Sequence, residues 1–424
     1  MLYTVFFNRS NHVNKDLLFI PTSGTLHPIS GETTFMETEI TNKPVRRGMR
    51  LFFGTFIFIL CFILLILAEI TAGRVYRKFP ANGRRAVASM IDEERVVQSG
   101  YYSQHPYLYY THRSGYEALS NVQFNSLGHR NDEVPSAPEP GVLRILCIGG
   151  STTVSFPYVS DPRETWPIKL EELIEKETGI KVDVINAGLN GGNSADLLAH
   201  YIFRNRYLKS HIVILHTGGN DATALLFPNY HPEYTHYTKG WRNTALVPRP
   251  LETAWLRFNL VKCVYAWWLQ DIDLNAQIGR LGIEKLKPAD CLKNTQKNEP
   301  EGFRRNLDLL VRTIIQDGAQ PVLFPFVWAP EDVFRKMREY GPYYDPMVLA
   351  FKKNLSVIEE IAAKHNVINA KLSAEAIPGS HFFDFCHVNE KGEAIKAAHM
   401  LQYLKPIIQK LVDNEKLAQL KPKT

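Results

Sequence analysis

The sequence predicts an α/β fold of three layers, a parallel sheet with helices on both faces, preceded by one N-terminal transmembrane helix. Three observations carry this. From Val142 onward, short apolar runs alternate with stretches of helical period, which is the pattern of consecutive βα units. Residues able to do acyl-transfer chemistry fall just after the predicted strands, where open α/β sheets bind ligands. Upstream, Leu51 to Ala68 (LFFGTFIFILCFILLILA) carries no charge and is at the short end of what spans a bilayer as a helix.

The elements follow in order. Residues 1–50 are polar and aperiodic, ending in a basic patch, and read as a disordered tail. Met49 just before the apolar run is also a natural start, which would place residues 1–48 outside the protein. Residues 51–72 form the anchor. Lys43, Arg46, Arg47 and Arg50 precede the run and Arg74, Arg77 and Lys78 follow it, so the charge asymmetry mildly favours a cytoplasmic N-terminus and an exported body. A cleaved signal peptide is the competing reading; the apolar run is long for one, and Ile70-Thr71-Ala72 is a poor cleavage site. Residues 73–141 are an accessory region with an aromatic cluster, Tyr101-Tyr102 and Tyr107 to Tyr110, closed by the Pro-rich stretch 135–141.

The main domain, residues 142–415, begins with a buried strand over Leu143–Ile148. A helix over Thr165–Thr178 follows, with Pro167 in its first turn and Gly179 at its end. Then come a strand at Lys181–Asn186, a helix from Ser194 (its expected cap) to about Leu208, and a strand at His211–His216. A helix at Phe303–Gln316, a strand at Pro321–Val327, a helix from Pro346 to about Lys364, a short strand at Val367–Ala370 and a helix over Glu390–Leu411 complete the domain. Roughly eighty residues separate the third strand from the Phe303 helix, long for a connection. This insert, about residues 222–300, is aromatic: Tyr230, Tyr234, Tyr237, Trp241, Trp255, Tyr265, Trp267 and Trp268, with a helix expected over Leu251–Gln270. These rings either fill a satellite core or form a lid, a sugar-stacking surface or an acyl-binding wall.

Composition narrows the class. In a chain of 424 residues, 45% hydrophobic and 22% charged content are those of a globular protein. The net charge of +6 owes part of its excess to residues flanking the apolar run, and no nucleic-acid-binding motif appears, so nucleic acid is excluded as a partner. Five cysteines form no disulfide framework; only Cys263 and Cys291 are placed so that they could pair.

The chemistry sits in four short blocks. Gly149-Gly150-Ser151-Thr152 offers a hydroxyl nucleophile. Asn186 to Gly191 and Gly218-Gly219-Asn220-Asp221 offer donors for an oxyanion: the Ser151 and Gly191 N–H groups and the Asn220 side-chain amide. Asp384-Phe385-Cys386-His387 offers a base, His387, with Asp384 three residues earlier to orient it. Taken singly, Gly-Gly-Ser is a cap, Gly-Gly-Asn-Asp a turn and Asp-x-x-His a solvated turn. Their order and strand-end placement together favour catalysis. Cys386 reads as a small buried hydrophobe beside the base.

The set resembles the SGNH (GDSL-type) hydrolases over about residues 142–412. Gly149 to Thr152 stands where that family has Gly-Asp-Ser, with Gly150 in place of the Asp. Gly191, Gly218 to Asp221, and Asp384 with His387 match its other blocks, and Asn389 and Gly392 continue the last. Asn125, Gly128 and Arg130 form an Asn-x-x-Gly-x-Arg stretch similar to that of anchored bacterial envelope members. The resemblance implies a flavodoxin-like three-layer fold, no metal and no cofactor. It implies a membrane-anchored serine esterase or deacylase, its catalytic domain extracytoplasmic, acting on an O-acyl glycan or lipid ester. An acyltransferase acting on an envelope polysaccharide and a non-catalytic glycan-binding module are the alternatives.

Overall fold

The computed structural model describes residues 45–91, 101–103, 105–119, 121–238, 254–270 and 280–413. Residues 1–44 of the expected tail and Trp241 lie outside these, whereas residues 45–50, also expected to be tail, are helical. Two compact units are distinguished, Met1–Leu65 and Ile66–Thr424. Helix α1, Val45–Tyr76, belongs to both and is longer than the predicted anchor. Its stretch Met49–Tyr76 is 28 residues long, and apolar and long enough to cross a membrane. Side chains from Leu51 to Leu67 are exposed, which only an apolar solvent or partner would favour. Helix α2 is Ala81–Ile91.

The main domain runs β1 (Leu143–Gly149), α3 (Ser151–Val154), α4 (Trp166–Thr178), β2 (Val182–Gly188), α5 (Ser194–Phe203), β3 (Ile212–Thr217) and α6 (Gly219–Leu225). It continues through α7 (Asn259–Trp268), α8 (Pro288–Lys297), α9 (Glu301–Gln316), β4 (Gln320–Pro325), α10 (Tyr344–His365), β5 (Ile368–Asn369) and α11 (Glu390–Asp413). The five strands pair in parallel in the order β2-β1-β3-β4-β5, the flavodoxin-like order. Alternation along β1 divides the core. Leu143, Ile145 and Cys147 face α4 and α11 with Trp166, Leu170, Met400 and Leu404. Leu146 and Ile148 face α5, α9 and α10 with Leu197, Phe303, Leu310 and Ile358. The three layers and the flavodoxin-like order agree with the sequence prediction.

Some local expectations are corrected. The cap of α5 is Asn193, not Ser194: its side chain accepts from the Ala195 and Asp196 N–H groups, and Asp196 returns a bond to the Asn193 N–H. The helix breaks at Arg204, and a separate 3₁₀ turn covers Asn205–Leu208. The insert helix spans Asn259–Trp268 rather than Leu251–Gln270, of which residues 251–253 lie outside those described. Cys263 and Cys291 do not pair; both are free thiols.

The free edge of β2 is covered by side chains. Its outward N–H groups at 182, 184 and 186 donate to Glu175, Glu171 and Asn131 respectively, and Asn131 also donates to the Val184 carbonyl. A strand edge left bare would be a template for another strand.

Candidate active site

Ser151 opens α3 directly after β1, where the first N–H groups of a helix have no intrahelical acceptor. It lines a cleft at the carboxyl end of the sheet together with Gly150, Gly192, Asn220, Phe326, Met347, Phe351, Phe385 and Cys386. Members of three of the four sequence blocks thus face one space. Gly191 itself is not among the lining residues; its neighbour Gly192 is. Gly191 sits at φ +70° in the turn after β2, a left-handed conformation that glycine adopts without strain. That turn is braced from outside, since the Asn190 carbonyl accepts from the Tyr110 hydroxyl at 2.6 Å and the Asn190 side chain donates to the Phe156 carbonyl at 2.9 Å. The aromatic cluster of the accessory region therefore supports this loop.

Asn220 donates through Nδ2 to the Gly192 carbonyl at 2.8 Å, which leaves the second hydrogen of the amide for another acceptor. A Cβ at position 150 would collide with this amide, so Gly150, where the family pattern has Asp, matches the place the amide takes. Asp221 faces away from the cleft. It is buried and accepts from the Ser194 N–H at 3.0 Å and the Tyr234 hydroxyl at 2.6 Å, tying the Asn220 turn to the start of α5. Burial pushes its carboxyl up, partly offset by the Ser194 and Tyr234 hydrogen bonds.

Asp384 and His387 lie in the loop before α11. The Asp384 Oδ2 is 2.7 Å from His387 Nδ1, and its Oδ1 accepts from the Cys386 and His387 N–H groups at 2.8 Å each. Burial alone would raise the Asp384 carboxyl, but His387 and these N–H donors outweigh it and hold the carboxyl below its ordinary range. In the neutral imidazole, an Nδ1 bonded to a carboxylate is the nitrogen that carries the proton, which leaves the lone pair on Nε2. That Nε2 is buried and has no hydrogen-bond partner among the described residues. The ring stacks on Tyr158, centroids 3.7 Å apart and planes at 11°. Tyr158 follows α3 closely in sequence, so the stack ties the Ser151 segment to the histidine. Burial first, and then the Asp384 charge, push the Tyr158 phenol well up, so it stays neutral beside the pair.

Asp384, Cys386 and His387 also present metal-ligand types within 4.8 Å of one another. Two of the atoms a metal there would take, Asp384 Oδ2 and His387 Nδ1, are already hydrogen-bonded to each other at 2.7 Å. The trio fits a hydrogen-bonded Asp–His pair beside a small buried side chain.

The roles of several supports could not be read from the sequence. Lys396 and Glu393, both 1% exposed, form an ion pair at 3.2 Å. Lys396 also donates to the Thr152 carbonyl at 3.3 Å, and Glu393 accepts from the Trp166 N–H at 2.8 Å. Arg130, fully buried, donates to the Val154 carbonyl at 2.7 Å and to Gln123 at 2.9 Å. Both cations thus grip the backbone of the Ser151 helix. Asn389 accepts from the Lys391 and Gly392 N–H groups and caps α11. Among the described residues of the insert, Tyr234 and Tyr237 pack in a satellite core with Phe227 and Cys291, and no insert aromatic lines the cleft. The satellite-core reading holds for these two, and no described ring of the insert lines the cleft as an acyl-binding wall would.

No sequence-family model matches the chain, and no curated protein sequence does. Solved structures do. A lipase/acylhydrolase from Enterococcus faecalis is 17% identical, with 62% of this chain and 96% of that chain aligned at a TM-score of 0.37. An acetyl-xylooligosaccharide esterase from Geobacillus is 14% identical, with coverage of 62% and 94% and a TM-score of 0.37. A lipolytic protein of the G-D-S-L family from Desulfitobacterium hafniense is 12% identical, with coverage of 61% and 98% and a TM-score of 0.33. At this distance the likenesses add no weight of their own; topology and site geometry carry the reading. By its strand order the chain has a flavodoxin-like three-layer α/β fold, the fold that the sequence resemblance implied.

Proposed function

We propose that the protein is a serine esterase in which Ser151 is the nucleophile, His387 the base and Asp384 its orienting partner. The observation that supports it most is the state of His387: Nδ1 lies 2.7 Å from Asp384 Oδ2, and Nε2 is buried without a hydrogen-bond partner among the described residues, next in the chain to Cys386, which lines the cleft with Ser151. His387 Nε2 takes the Ser151 hydroxyl proton as Oγ bonds to the ester carbonyl carbon. The oxyanion formed accepts from the Ser151 N–H, the Gly191 N–H and the free Asn220 amide hydrogen; losing one such donor costs about 3 kcal/mol of transition-state stabilisation. Collapse breaks the ester C–O bond, and His387 gives its proton to the leaving alkoxide. Water then repeats the sequence on the acyl-enzyme and restores Ser151. The Met347, Phe326, Phe351 and Phe385 wall suits the acyl side of an O-acylated glycan or lipid. The chain is held in a membrane by α1, with its domain on the exported side.

The test is reaction of the full-length detergent-solubilised chain with a fluorophosphonate probe, followed by peptide mass spectrometry. Label on Ser151 that disappears in His387→Ala is the expected result. A folded chain that takes no label would overturn the reading.

A further inference from the structure

The segment joining α1 to α2 and the helix α7 form a small module with a core of its own: Ala86, Val87 and Met90 of α2 against Leu256, Ala266 and Leu269. Its link to α1 is specific. Both oxygens of Glu69 accept from the first N–H groups of α7, at Asn259 and Leu260, and Cys263 Sγ lies 3.3 Å from the Ala72 carbonyl. A carboxylate on the first N–H groups of a helix satisfies orphan donors and favours the helix dipole.

The outer face of α7 carries a run of exposed apolar side chains. Leu260, Val264, Trp267 and Trp268 recur at positions i, i+4, i+7 and i+8, so they share one stripe. The stripe points outward: Val264 is 62% exposed, Trp267 65% and Trp268 70%. Trp255 at 60% and Phe258 at 47% extend it just before the helix. Charge follows the same logic. Residues 69–91 and 254–270 hold seven basic residues, Arg74, Arg77, Lys78, Arg84, Arg85, Arg257 and Lys262, against one acidic residue, Glu69. That one carboxylate is already spent on the α7 N-terminus.

We propose that this face of α7 lies in the interface of an anionic phospholipid bilayer, the lipid being its occupant. The inference rests on reading α1 as a membrane span. Three observations favour lipid over a protein partner. The apolar run Leu51–Ala68 ends one residue before Glu69, which holds α7 directly, so the aromatic stripe is fastened to the end of the span. Tryptophan is the side chain that settles at headgroup level, its ring apolar and its N–H wet. Excess Arg and Lys beside an apolar stripe is the composition of a helix lying in an interface, with anionic headgroups to meet it.

The test places the full-length chain in nanodiscs of phosphatidylcholine and phosphatidylglycerol whose acyl chains carry bromine near their carbonyl ends. Bromine quenches tryptophan on contact. Three of the six tryptophans are on this face, so the wild type should show strong quenching. The W255F/W267F/W268F variant should lose about half or more of the quenchable emission, as interface-seated indoles require. Equal quenching in variant and wild type overturns the proposal, as does no quenching in a wild type that resists carbonate extraction from the discs. Release by carbonate overturns the α1 span itself, a separate failure. Blue-shifted emission in detergent together with α7–α7 cross-links would assign the face to a second copy and overturn the lipid reading.

Discussion

The carboxyl edge of the sheet and the module around α7 are built on opposite plans. At the edge, charged groups are taken out of water and given partners: Arg130 by carbonyls, Lys396 by Glu393 and Thr152, Asp384 by three donors. In the module, apolar rings are exposed, and a small core of six buried side chains holds the helices together with the hydrogen bonds of Glu69. An active site must hold a few atoms still in a water-poor space, so its stability resides in partnered polar groups. A surface seated in lipid needs no partner within the chain. The comparison teaches that buried charge and exposed aromatic, both costly in a water-soluble core, mark the places with work to do.

The largest effect that would sharpen this contrast is at Asp384. Asp384→Asn keeps the volume but loses the charge that orients and stabilises the His387 imidazolium, and kcat should fall about 10³–10⁴-fold with KM little changed. Steady-state hydrolysis of a chromogenic ester measures it; a fall under tenfold would place Asp384 outside the mechanism. Next comes Lys396→Met. It strands Glu393 in the interior and should cost about 3–5 kcal/mol of stability, read by chemical denaturation, whereas Lys396→Met with Glu393→Leu should recover most of it. Unchanged stability in the single variant would mean the pair is not buried as described. The smallest effect is at Glu171. Burial raises its carboxyl from 4.5 to about 7, opposed by the bond from the Val184 N–H. Because the folded value lies above the unfolded one, the native state holds the extra proton, and stability falls as pH rises between about 4.5 and about 7. Glu171→Gln should flatten that slope and gain on the order of 2 kcal/mol at pH 8, seen as a higher Tm there and none at pH 4. A slope retained in the variant would assign it to another group.

Much of the sheet was legible from sequence because a parallel strand covered on both faces must be an uninterrupted apolar run, as Leu143–Ile148 and His211–His216 nearly are. The site blocks were legible because loops after such strands converge on one edge. What holds those loops was not. Lys396 and Glu393 read as ordinary surface charges of an amphipathic helix; that they meet Thr152 and Trp166, more than two hundred residues away, is a property of packing alone. Arg130 was noticed as part of a motif, but not as the grip on α3. The cap at Asn193 did have a signal, the Asp three residues on, and the adjacent serine drew attention from it. The insert's rings look alike in sequence and divide in the structure, Tyr234 and Tyr237 inward, Trp255, Trp267 and Trp268 outward.

The covering of β2 by Glu171, Glu175 and Asn131 has a consequence for a chain confined to a surface. Confinement to two dimensions raises the frequency with which like molecules meet side by side. A sheet that ended in open hydrogen-bonding groups would, on each such meeting, offer itself as the seed of a continuous ribbon. Here the β2 edge is already finished by its own neighbours, so copies of the protein that meet along it find no open groups to zip together.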